Sequence, residues 1–215
     1  MHGEARNQPY AWNSHLIDVK KGNILVLVDP LPLSADEIRE VEEIGIPTHI
    51  LITCNYHIRE SESFRKRWGC KVLLPQDGLK DAEIPVDGTL QDGDLLWDFI
   101  EVIHVPDVHS FPEEVAYLVK EEGGVLIVGD GVCGGRKDMG IPDGEISIPI
   151  PFAKYIADIK KSRDSLHKLL AYPFEKMCFV HGTPVFQSPK SIFRRFLEND
   201  EIWESLRKRK AEDTA

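Results

Sequence analysis

ILITCNYHIRES, residues 50–61, runs from an apolar, β-branched segment straight into Cys54, Asn55, Tyr56, His57, Arg59 and Glu60. A strand that stops on such side chains delivers them to the edge of a sheet, where residues distant in sequence converge. The same design recurs in EVIHVPDVHS, which ends on His104, Asp107 and His109, in GVLIVGDG, which ends on Asp130, and in KMCFVHG, which ends on His181. Imidazole nitrogens and carboxylate oxygens are the donors that zinc and similar cations accept. An ion with an open coordination position turns water into a nucleophile near neutral pH.

Around these phrases the pattern is that of a layered α/β sheet protein. NSHLIDV and NILVLVDP flank KKGN, which predicts a hairpin. In LSADEIREVEEIG, Ser34 is placed as an N-cap, Glu37 is its capping-box partner three residues on, and Gly45 stops the helix. THILIT and CKVLLP read as strands buried on both faces, with the short helix ESFRKRWG between them. LQDGDLLWDFIEVIHVPD carries a QDGD turn between β-like runs, and EVAYLVKEEGGVLIVGDG gives two strands about KEEGG. Two helical stretches, YIADIKKSRDSLHKLLA and SIFRRFLENDEIWESLRKRK, enclose the strand KMCFVHG.

The 215 residues, with 42% hydrophobic and 29% charged, fit one domain over residues 1–215 whose last ~15 residues form a helical or frayed tail. A net charge of -10 disfavours nucleic acid and anionic membrane as partners, and RKRK, Arg207 to Lys210, reads as the solvated end of a terminal helix. Without a bilayer-length apolar run or the pattern of a signal peptide, the chain is expected to be cytoplasmic. Cys54, Cys70, Cys133 and Cys178 form no CxxC pair and are expected to be reduced thiols.

The order and spacing of NSHLI, VLVDPLP, PTHILIT, GCKVLLP, VIHVPDVHSFPEEVAYLV, LIVGDG and FEKMCFVHGTPV together resemble the metallo-β-lactamase superfamily over nearly the whole chain. The resemblance implies a four-layer αββα sandwich and a mostly hydrolytic, metal-dependent chemistry. It also implies site residues. His109 in DVHSFP matches a metal-binding His, with Val108 where a glycine is usual and one residue inserted before Pro112. Asp130 matches the carboxylate that bridges two metals in glyoxalase II-like members, and His181 matches the late His that binds the second metal. Asp29 matches a strand-end Asp that supports the site from behind the ligands, while His104 falls outside the ligand set.

The departure lies in the opening stretch. The family's His-X-His-X-Asp-His signature, counted from Thr53, falls on Cys54, Tyr56, Ile58 and Arg59, none of which matches. His57 sits at a spacer position in that register and becomes the last His of the signature only if the loop is shortened by two residues. Losing four ligands removes most of the affinity of a two-metal site. In direct register the Arg59 cation falls near the second metal, which leads to the expectation that it pairs with Asp130 and replaces the metal's charge. Cys54 is read as a small buried thiol in preference to a soft-metal ligand, and GGRKDMG as a solvated loop that offers Arg136 and Lys137 to solvent before substrate.

The resulting expectation is a hydrolase of reduced metal content. One ion, zinc ahead of iron or manganese, would be held by His57, His109, Asp130 and His181, with Asp130 and His57 as the catalytic groups and an ester, thioester or amide of a small molecule as substrate. The alternative is a non-catalytic member with no ion, in which Arg59 closes the old pocket and the surface serves ligand binding or a homodimer contact. An iron redox protein is a third reading, for which mononuclear iron wants a fuller ligand set.

Overall fold

The computed structural model describes residues 12–20, 22–109, 114–121 and 123–213. The expected insertion before Pro112 lies outside the described residues. The described residues form two five-stranded sheets. The first takes the order β1 (His15–Val19), β2 (Ile24–Val28), β3 (His49–Leu51), β4 (Lys71–Pro75) and β5 (Gly88–Leu90). The second runs β10 (Lys176–Phe179), β9 (Val125–Val128), β8 (Val115–Val119), β7 (Ile100–His104) and β6 (Leu95–Leu96).

β1 and β2 form the antiparallel hairpin that KKGN predicts, and β2 to β5 are mutually parallel. β6 to β9 are antiparallel, and β10 joins β9 in parallel. The QDGD turn is a crossover that carries the chain from the edge of one sheet to the edge of the other.

Period-2 alternation along the strands fixes the layering. Val26, Val28 and Leu51 of the first sheet and Val102, Tyr117 and Ile127 of the second share one apolar cluster between the sheets. Their neighbours point the other way. Leu27, Ile50 and Val72 pack with Phe64, which lies on α2 (Ser61–Trp68), while Ala116, Leu118 and Leu126 pack with Leu166, Phe193 and Trp203. These last three lie on α3 (Ile159–Lys168), α4 (Pro189–Leu197) and α5 (Asp200–Asp213). Three apolar layers between four structural layers make the αββα sandwich.

Local signals set the helix ends. α1 (Ala35–Ile44) begins at a complete Ser34–Glu37 capping box. α2 ends at Gly69 with φ 73, the left-handed geometry in which glycine carries no Cβ penalty. α5 is held to the body by Trp203, whose buried indole N–H donates to the Leu197 carbonyl at 3.1 Å. No helix among the described residues is long and apolar enough to cross a membrane.

Candidate metal centre

Strand ends assemble the site. Val28 lies beside Leu51 in the parallel β2–β3 pair, and Phe179 lies beside Val128 in the parallel β9–β10 pair. Asp29, Thr53, Asp130 and His181 follow these ends and meet at one edge of the sandwich. Asp29 and Arg59 adopt left-handed φ values of 49 and 40, unusual for residues with a Cβ. Such backbone is retained where the surroundings over-determine it, and functional edges are where it concentrates.

The floor of the site is a chain of buried polar groups. Asp29 accepts from the Thr53 backbone N–H at 2.8 Å and from the Thr53 hydroxyl at 2.6 Å. That hydroxyl has spent its proton on Asp29, so its oxygen accepts from His57 Nδ1–H at 2.7 Å, and Asp29 Oδ2 lies 3.1 Å from the same nitrogen. The arrangement fixes the His57 ring and its tautomer from behind, as an oriented metal-type imidazole requires. A single 3₁₀ turn, Asn55–His57, aims the ring inward. His57 Nε2 therefore faces the site, 3.3 Å from Asp130 Oδ1, and His181 Nε2 approaches the same oxygen at 2.9 Å.

The electrostatics follow from these contacts. Burial opposes a charge on His57, but Cys54, Asp130 and Asp29 around it outweigh burial and hold it well above the usual histidine value. Burial pushes the Cys54 thiol up to about 11, so at neutral pH the two carboxylates carry that effect. Burial would raise the Asp130 carboxyl, yet the His57 charge and the hydrogen bonds from His181 and His57 keep it well below the ordinary carboxylate range. His181 and His109 are both lowered, chiefly by burial. His57 is thus the cation that answers Asp130, with neutral His181 donating to the same oxygen.

This corrects the expectation for Arg59. Among the described residues its guanidinium makes no ion pair with Asp130. One of its N–H groups donates to the Asp29 carbonyl at 3.4 Å, and its Cζ stacks on the Trp12 ring at 4.9 Å. Arg136 departs from the solvated-loop reading as well: it is 1% exposed, pairs with Asp138 at 2.5 Å and lies over Phe152.

The other sequence-derived residues fall in two groups. Cys54 Sγ lies 3.6 Å from His57 Nδ1, and Cys54, His57 and Asp130 offer donor atoms within 4.8 Å of one another. His109 lines the same cavity as His57, Asp130 and His181 but stands between Tyr56 and Tyr155, with ring centroids at 5.4 and 5.9 Å. His104 lies away from this cavity, at a small cleft with Asp77 and Asp92. The main cavity has a volume of about 490 Å³.

Glu114 escaped the reading of the sequence. It is wholly buried at the start of β8 and accepts from the Gly131 N–H at 2.8 Å. Burial first, then Asp130, push its carboxyl up to about 8. The glycines flanking Asp130 are the signal that could have revealed it: a Cβ at Gly129 would stand 3.0 Å from Glu114 Cδ, and one at Gly131 would stand 3.0 Å from Glu114 Oε1.

Two imidazoles meet on one carboxylate at the strand ends of an αββα sandwich, beside the cavity. The model of the metallo-beta-lactamase superfamily matches residues 3–140, more than half of the sequence, and the chain belongs to that superfamily. Among solved structures, TTHA1623 in a di-iron-bound form is 22% identical with a TM-score of 0.63, over 88% of this chain and 95% of that one. The BLEG-1 B3 metallo-beta-lactamase is 20% identical with a TM-score of 0.61, over 83% and 90%. A variant of the flavo di-iron protein from Thermotoga maritima is 16% identical with a TM-score of 0.63 over 86% of this chain, which spans only 52% of that protein. Likeness at these identities shows the fold alone. Comparison with curated protein sequences returns no match.

Proposed function

We propose that the chain is a hydrolase of small-molecule esters, thioesters or amides, working with a single ion held by His57, Asp130 and His181. The observation that carries this reading is the meeting of His57 Nε2 and His181 Nε2 on one oxygen of Asp130, at 3.3 and 2.9 Å, in the lining of the cavity. Three protein ligands are the usual complement of a catalytic zinc site, with one position left for water or substrate. The buried His181 Nδ1 has no hydrogen-bond partner among the described residues, so the protein itself fixes no proton on that nitrogen. Zinc suits the donor set best, with iron or manganese behind it.

A bound ion would supply Lewis acidity and a water made nucleophilic near neutral pH. The chain's own residues do the rest. Asp29 and Thr53 hold His57 with Nδ1 protonated, so Nε2 is the nitrogen offered to the site. Asp130 would divide its two oxygens between two duties, one toward the ion and the other placed to take a proton from the attacking water and pass it to a leaving group. Tyr56, Phe152 and Tyr155 line the cavity. A second ion is not part of this proposal, because Ile58 and Arg59 offer no donors for one.

Elemental analysis after reconstitution tests the reading. Wild-type protein should retain about one zinc and hydrolyse a panel of nitrophenyl esters and thioesters, and His57→Ala and His181→Ala should lose both. Wild-type protein that retains no metal refutes it.

One observation favours a second, non-catalytic reading: Asp130 is already met by an imidazolium and an imidazole, so the site balances its charge without an ion. Thermal stability indifferent to both chelator and added zinc would select that reading, since an ion bound only by the folded form must raise stability.

A further inference from the structure

Arg59 is the charged group of the cavity that neither reading employs. Its guanidinium is a planar fork of five N–H donors. Among the described residues these meet only the Asp29 carbonyl, at a long 3.4 Å, and the face of Trp12. The carboxylates near enough to act on it are committed elsewhere, Asp29 to Thr53 and His57, and Asp130 to His57 and His181. A half-buried guanidinium with no carboxylate of its own is costly, and bidentate pairing with an oxyanion is the partner its geometry matches.

The remainder of the wall is of a different kind. Tyr56, Phe152 and Tyr155 line the cavity, and the His109 ring lies parallel to Tyr155 at 9°. One cationic anchor beside an aromatic wall selects for a ligand with an anionic end and an apolar body. We propose that the cavity binds a small carboxylate with an aromatic or apolar body, its carboxylate on Arg59 and its body against Tyr56, Phe152 and Tyr155. The proposal rests on the cavity being the substrate pocket of the function proposed above, but the anchor is a protein group and does not need the ion. Among the described residues Arg59 is the one Arg or Lys side chain in the cavity lining, and a monoanionic carboxylate matches a single guanidinium better than a phosphate dianion.

Calorimetric titration of chelator-treated protein with phenylacetate tests this independently of metal loading and turnover. Phenylacetate should bind saturably, with the neutral isostere phenylacetamide and inorganic phosphate each at least about tenfold weaker, the worth of a charge-assisted hydrogen bond. Arg59→Lys, which keeps the charge and loses the fork, should weaken phenylacetate by about tenfold, and Arg59→Met by about 100-fold. Circular dichroism checks that both variants fold, and Arg59→Lys decides the matter if Arg59→Met does not. Absence of phenylacetate binding, equal affinity for phenylacetamide or phosphate, or unchanged affinity in Arg59→Lys overturns the proposal. Binding that emerges only after zinc is added assigns the carboxylate to the ion and overturns it too, while leaving the hydrolase reading intact.

Discussion

Glu114→Gln isolates a buried acid from its charge with almost no change of shape. In the unfolded chain this carboxyl ionises near its ordinary 4.5, whereas in the folded protein burial and the Asp130 charge hold its proton until about 8. Between those values the folded state carries a proton that the unfolded state has released, so raising the pH removes stability throughout that window, at about 1.4 kcal/mol for each pH unit fully inside it. From pH 5 to pH 8 the wild-type protein should lose about 3 kcal/mol through this group alone. The glutamine side chain cannot ionise, and its amide oxygen can still accept from Gly131 N–H. Its amide nitrogen would stand where Glu114 Oε2 lacks a partner among the described residues, which should make the variant less stable by about 1 kcal/mol at pH 5. Urea melts of chelator-treated wild type and variant, at half-unit steps from pH 5 to 9, measure the difference. The variant should start slightly below wild type, cross it, and lie about 2 kcal/mol above it by pH 8. A difference that stays flat across the series would refute the claim that Glu114 is buried as a protonated acid.

Thr53→Val removes the hydroxyl that links Asp29 to His57 and should cost about 2–4 kcal/mol, the worth of two buried hydrogen bonds to charged groups, with the melting temperature falling by about 5–15 °C. A Thr53→Ser control restores the link and should recover most of the loss in the same thermal melt. Ser34→Ala breaks the exposed capping box of α1 and should cost about 1 kcal/mol in a urea melt, leaving ligand binding untouched. Ile58→Asp restores the carboxylate of the family signature in direct register, yet Ile58 packs against the cluster of Leu27, Ile50 and Phe64, so the variant should lose about 2–4 kcal/mol. Elemental analysis of that variant should show no second ion, and one gained there would show that the loop keeps the family's register.

The fold was legible because its determinants are local. Continuous β-branched runs gave the buried strands, and the Ser34–Glu37 pair gave the start of α1 without reference to anything beyond four residues. The convergence of Asp130 and His181 was legible for the same reason, since each closes an apolar run. What could not be read is whatever depends on partners from several elements at once. Arg136 stands in a polar, glycine-rich phrase that looks solvated, and only its packing against Phe152 shows it to be interior. Glu114 sits in a run with another acid and reads as surface, because the two glycines that make room for it lie in a different strand connection. The inward turn of His57 was the hardest of all, since it needs a 3₁₀ turn whose reward, the Asp29–Thr53 anchor, comes from the end of another strand.

That turn brings a histidine into the site from a loop without the family's signature. In the direct register Cys54, Tyr56, Ile58 and Arg59 stand where ligands are usual, and each has a place in the packing instead. Cys54 is a buried thiol, Tyr56 borders the cavity, Ile58 joins the apolar layer under α2, and Arg59 lies on Trp12. The spacer residue His57 has taken the inward position. Restoring ligands at the signature positions would therefore place polar groups in an apolar layer or along the cavity rim. His57 is oriented by Asp29 and Thr53 and is itself the positive partner of Asp130, so the charge of that buried carboxylate is answered from within the chain.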